Sequence, residues 1–199
     1  MIPVTPKPEP ENFDRLVRKP GNKWLVDHGV SPDQPPPDPS MLPTYWRQTQ
    51  KELWESYDGV CAYLCIYFEW VIGAHSTDHF IAKSREAGQV YEWSNYRLSC
   101  MSMNRNKNHF DDILDPFQIN PYTFLLNLAS GLIYPNPELS AEIYEKAEKT
   151  ILRLKLNDIE NQEMRAWHFT LYQMNEISVS YLKRTSPFVW YEVNRQGLL

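Results

Sequence analysis

The chain has 199 residues, room for one domain with extensions or at most two small ones. With 42% hydrophobic residues, 7 Trp and 12 Tyr it can fill a core, which excludes wholesale disorder, and no apolar run is long enough to span a bilayer. A net charge of −5 argues against coating nucleic acid by bulk electrostatics, though not against a local basic patch.

Residues 1–10 alternate Pro with charge and lack the apolar segment of a signal peptide, so cytoplasm is the expected compartment. The odd, sparse cysteine set (Cys61, Cys65, Cys100) agrees, being a poor disulfide framework. Residues 1–43 are rich in Pro, including Pro35-Pro36-Pro37, and read as an extended arm strapped over the core. Short ordered pieces are expected around 13–16 and 24–26. Pro43 opens a helix expected to run to about Tyr57, with Tyr45, Trp46, Leu53 and Trp54 as its apolar residues. Asp58-Gly59 ends it as a turn.

The apolar run 60–72 is ambiguous between buried helix and buried strand. Residues 75–80 are expected to close a strand, 82–92 to form a polar loop, and 95–100 a second short strand. Residues 104–114 have helical character and stop before Asp115-Pro116. That order is a ββα unit. Further on, 122–128 and 132–134 flank Ala-Ser-Gly as a hairpin. Ser140 precedes a helix with the stripe Ile143, Ala147, Ile151 and Leu154. A second helix, about 161–175, presents Met164, Trp167, His168 and Leu171 on one face, and the aromatic tail 187–199 is expected to dock. The fold class expected is therefore α+β. Three segments are expected: an arm (1–43), a core with its preceding helix (44–118), and a hairpin-plus-helix extension packed on the core (119–199).

The chemistry gathers between Asp78 and Lys107. A carboxylate beside an imidazole, Asp78-His79, supplies a ligand for a hard cation and a proton acceptor. Alone, the dipeptide reads as a turn Asp beside a surface His, since such pairs are common by chance. Asn95 opens the second strand, where a buried amide bracing the loop that holds His79 would be satisfied. Asn104 reads as an N-cap or as a second metal ligand. Arg105 and Lys107 follow on the first helical turn, where phosphate is favoured, and Asn108 and His109 stand one turn on as further candidates. Other nearby cations are Lys83, Arg85 and Arg97, whereas much of the acidity lies between 138 and 163.

The order Asp-His, Asn, Asn-x-x-Lys resembles the HNH endonucleases over residues 60–118, including the run Tyr91-Glu92-Trp93-Ser94-Asn95-Tyr96-Arg97-Leu98 and Asp115-Pro116-Phe117. The chain is also similar to bacterial HNH proteins of its size, some of which partner an ATPase in antiphage systems of the Septu type. The resemblance implies a ββα-metal fold that cuts DNA with one divalent cation, Mg²⁺ first and Mn²⁺ second. It makes His79 the general base, Asp78 and Asn104 metal ligands, Asn95 the residue fixing the loop, and Lys107 with Arg105 phosphate contacts. Many relatives also hold a structural zinc between two Cys-x-x-Cys pairs. Here Cys61-Ala-Tyr-Leu-Cys65 is one residue too long, and Met103 replaces the last thiolate after Cys100, so zinc is not expected and the thiols read as buried. The competing expectation is a non-cleaving subunit that binds nucleic acid or a protein partner.

Overall fold

His75–His79 and Tyr96–Cys100 form two short strands, β1 and β2, in a computed structural model that describes all residues 1–199. They pair antiparallel with His75 opposite Cys100, Asp78 opposite Arg97 and His79 opposite Tyr96. β2 runs straight into a helix, Met101–Lys107, with Cys100 as its N-cap. The helix packs on both strands. It stops at Asn108, whose φ of 48° is tolerated by Asn better than by most residues. The expected helix over 104–114 is thus displaced toward the N-terminus, and Asn104 lies inside it, which removes the N-cap alternative.

The chain divides into two compact units, residues 6–59 with 69–111, and residues 1–5 with 60–68 and 112–199. In the first, the Pro-rich segment is not extended throughout. It forms a π-helical turn, Asp14–Arg18, continuing into α1, Lys19–Asp27. The cause is long-range. Phe13 is fully buried with its ring edge-on to Trp93 and Tyr96, at 5.5 and 5.6 Å. Gly21 lies so close to the Tyr91 ring that a Cβ there would come within 2.2 Å of it. After a 3₁₀ turn at Tyr45–Thr49 comes α2, Gln50–Ser56. The helix following β2 is therefore α3. The loop 82–92 is less polar than expected, since Ala87, Val90 and Tyr91 are fully buried in it.

The second unit holds a separate hairpin, β3 (Phe124–Leu126) with β4 (Ile133–Pro135), and four helices: α4 (Ala141–Arg153), α5 (Ile159–Gln173), α6 (Val179–Thr185) and α7 (Pro187–Arg195). Asn157 bonds both the N–H and the C=O of Ile133, at 2.9 and 2.8 Å. The inward face of α5 is Arg165 and Phe169, while Trp167, on the face that carries Met164, His168 and Leu171, is 57% exposed. Arg165 is tolerated because two carbonyls, Gly131 and Leu156, each accept from it at 2.7 Å. Residues 60–68 are neither helix nor strand but a loop closed by a Val60–Tyr67 bridge. The tail docks as expected, with Phe188, Val189 and Val193 buried. Mixed helix with two small sheets fits the expected α+β class. No helix is long and apolar enough to cross a membrane.

Candidate functional site

β1 ends at one wall of a cleft of about 1030 Å³, formed wholly within the first unit. Its lining gathers Asp78, His79, Asn104, Arg105, Asn108 and His109 from the expected set, together with Arg47 and Lys83.

His79 is 6% exposed and sits edge-on to Trp46 and Tyr96, with ring centroids 4.8 and 5.0 Å away. Its Nε2 lies 3.1 Å from the Val90 carbonyl. A carbonyl only accepts, so Nε2 carries the proton and Nδ1 is the basic nitrogen. Burial pushes the imidazole pKa down to about 3, and the charges of Lys83 and Lys107 push the same way. The ring is neutral across the physiological range, with Nδ1 unprotonated, and it is a weak base while burial and the uncompensated cations beside it disfavour its charged form.

Asn95 does not line the cleft. It is 4% exposed and makes three hydrogen bonds with the loop beside it. Its Oδ1 accepts from the Ile81 N–H at 2.7 Å, and its Nδ2 donates to the carbonyls of Ile81 (3.0 Å) and Gln89 (2.9 Å). Gln89 adjoins Val90, so the amide fixes the segment whose carbonyl orients His79. The Tyr96 hydroxyl donates to that same Val90 carbonyl at 2.8 Å.

Asp78 is 2% exposed. Its Oδ1 faces the Lys107 ammonium at 3.6 Å, and Lys107 also donates to the His79 carbonyl at 3.0 Å. Lys107 is fully buried, so it cannot be the phosphate contact expected of it. It is an internal cation that ties α3 to the end of β1. Asn104 is half-buried on α3, with Nδ2 donating to Ser76 Oγ. That bond leaves Oδ1 as the atom for any other partner. Ser76 and Asp78 stand two apart on one face of β1, so Asn104 meets the face that carries the carboxylate.

The cations sort cleanly. Arg85 is paired with Asp111 at 2.6 Å, and Arg97 is buried with Nη1 donating to the carbonyls of Ser94 and Tyr96. Arg47, Lys83 and Arg105 have no carboxylate partner, and all three line the cleft. Lys83 stands 4.8 Å over the Trp46 ring, and desolvation followed by the charge of Arg47 lowers its pKa. Like charges held together without an anion make a site for one. Arg47 is remote in sequence, and no local motif announced it. On the same wall, His75 Nδ1 and Thr77 Oγ1 are buried without hydrogen-bond partners.

For a divalent cation the fit is through oxygen. No trio of His, Cys, Asp or Glu is grouped to hold a metal ion. What remains is the Asp78 carboxylate and the Asn104 amide oxygen at one cleft, a donor pair of the kind Mg²⁺ accepts when waters and phosphate complete its shell. The thiols are otherwise engaged: Cys61 Sγ accepts from the Leu64 N–H at 3.5 Å, Cys65 Sγ contacts the Ala62 and Tyr63 carbonyls, and Cys100 Sγ lies 3.3 Å from Ser102 Oγ. No family model matches the chain, and no curated protein matches its sequence.

Proposed function

We propose that the first unit is a metal-dependent endonuclease of the HNH kind, built on a ββα-metal core and hydrolysing phosphodiester bonds of DNA. The observation that supports this best is one cleft holding a neutral imidazole beside a carboxylate, under three cations that have no carboxylate of their own. Arg47, Lys83 and Arg105 hold the phosphate, and His79 Nδ1 takes a proton from the attacking water. Phosphate binding offsets the positive charge of Lys83 that depresses the imidazole, so His79 becomes a better base when substrate is present. Asn95 keeps the ring oriented through Val90. Asp78 and Asn104 would hold the cation, which supplies Lewis-acid stabilisation of the developing charge.

Plasmid nicking with Mg²⁺ or Mn²⁺ tests the reading, comparing wild type with His79→Ala. The variant should lose about 10²- to 10⁴-fold in rate, the range for a positioned general base. Cleavage that persists in His79→Ala overturns the assignment of the base.

One observation favours a second reading, a non-cleaving subunit that binds nucleic acid or a protein. The Asp78 charge is already met by the fully buried Lys107. Metal-independent duplex binding, with no nicking by wild type alone or beside its genomic neighbour, would support that alternative.

A further inference from the structure

Directly before β1 the chain makes one 3₁₀ turn, Trp70–Ile72, closed by Gly73 in the left-handed region at φ 68°. The turn projects Val71 and Ile72 into solvent, 87% and 65% exposed. Its base is held firmly. The Trp70 ring stacks on His75 at 3.7 Å and 9°, meets Trp54 edge-on at 6.1 Å, and carries the Lys51 ammonium 4.9 Å above it. The Met101 N–H donates to the Ala74 carbonyl at 2.8 Å. His75 and Met101 are themselves wall residues of the cationic cleft, and Met101 is 58% exposed. An apolar tip therefore stands on a rigid base at the rim of an anion site.

We infer that Val71 and Ile72 form a wedge that enters the base stack of the duplex whose phosphates lie in the cleft. The inference rests on the DNA-cutting reading of that cleft and adds how the duplex is engaged. Size favours this occupant. Two side chains fall far short of the roughly 800 Å² per partner of a stable protein interface, whereas apolar residues of this type part a single base step. Charge favours it too, because the adjoining wall offers Arg47, Lys83 and Arg105 to a polyanion. Glu69, the acidic residue before the turn, already has an interaction within the chain. The span fixes a position. β1 has 5 residues, so its four steps of about 3.4 Å put His75, just after the tip, roughly 14 Å from His79. Each strand of a duplex advances about 3.4 Å along the helix axis per phosphate, so the opened step lies within about five nucleotides of the phosphate beside His79.

The test uses the full chain in EDTA with duplexes carrying 2-aminopurine at successive positions around the mapped nick, and a donor–acceptor dye pair at the ends to read bending. Wild type should raise the fluorescence several-fold at one step within about five nucleotides of the nick and shorten the end-to-end distance. Val71→Ser/Ile72→Ser should lose both signals and bind about five- to tenfold more weakly, while Val71→Leu/Ile72→Met should keep them. Duplex binding by wild type without brightening at any step overturns the wedge and leaves the cleft reading intact. So does a Ser variant that matches wild type, which would assign the tip to a protein or single-stranded partner. No duplex binding by wild type, together with no nicking, overturns both.

Discussion

The Lys107 ammonium lies 3.6 Å from Asp78 Oδ1, and both side chains are buried. The pair joins the last turn of α3 to the end of β1, and the same ammonium holds the His79 carbonyl. A lysine in an Asn-x-x-Lys run reads as a cation for substrate, yet this one has no access to solvent. Its work is to pair with the buried carboxylate and to fix the strand end that carries His79.

Lys107→Met keeps the apolar length of the side chain but leaves Asp78 buried without this partner. Breaking a buried pair from one side costs about 3–5 kcal/mol. The lower figure is expected, since Arg97 stands opposite Asp78 in the sheet register. Chemical denaturation monitored by Trp fluorescence should show the loss, and the double variant Lys107→Met/Asp78→Asn should recover part of it. A single variant as stable as wild type would remove the pair from the account.

Asn95→Ala deletes three hydrogen bonds and leaves the Ile81 N–H and C=O and the Gln89 C=O to find other partners. Each stranded group costs about 1–3 kcal/mol, softened here by the loop's access to water. Nicking should fall about 10- to 100-fold, as for other groups that orient a reactive side chain. Amide exchange should accelerate at Ile81 and Val90. Loss of activity with unchanged exchange would instead place Asn95 in direct contact with substrate.

Gly21→Ala places a methyl inside the Tyr91 ring, within 2.2 Å of its nearest carbon. Overpacking of this kind costs about 1–3 kcal/mol or more. Tyr91 follows Val90, so the strain should reach His79 as well. The expected outcome is a lower Tm together with reduced nicking, and Gly21→Ala/Tyr91→Leu should restore stability. A Gly21→Ala protein with wild-type Tm would show that α1 does not press on Tyr91.

What was legible in the sequence was local. The strands β1 and β2, the hairpin β3–β4 and the stripe of α4 follow from patterns within about fifteen residues. Asn95 bracing the loop that holds His79 also followed, because a buried amide must find partners. What was not legible was long-range or ran against residue type. Phe13 between Trp93 and Tyr96 orders a Pro-rich segment through a contact some eighty residues away. Lys107 and Arg165 are buried charges in positions where a surface cation is the ordinary expectation. Arg47 reaches the cleft through tertiary packing alone.

The depressed pKa of His79 ties stability to pH. Above pH 6.5 the imidazole is neutral both folded and unfolded, so it contributes no slope. Between 6.5 and about 3 the unfolded chain takes up a proton that the folded chain refuses. Stability attributable to His79 therefore falls as pH falls through that window, by about 1.4 kcal/mol per unit at most. Denaturant titrations at pH 7, 5.5 and 4.5, wild type against His79→Gln, isolate this component. Wild type should lose more than the variant on acidification. A difference that stays constant between pH 7 and 4.5 would mean that the ring is solvated or charged in the fold.

Arg47, Lys83 and Arg105 line the cleft without carboxylate partners, and each should release counterions when a duplex binds. Replacing any one with Ala should reduce the slope of log K against log salt by about 0.9, and all three together by nearly three times that. Arg47 and Arg105 are exposed, so their single variants should stay within about 0.5 kcal/mol of wild-type stability. Lys107→Met should behave in the opposite way, losing stability while keeping the salt slope. Binding isotherms between 50 and 200 mM salt separate the two classes. A salt slope lowered by Lys107→Met but untouched by Arg47→Ala and Lys83→Ala would move the phosphate path off this cleft wall, and with it the proposed role of Lys83 in tuning His79.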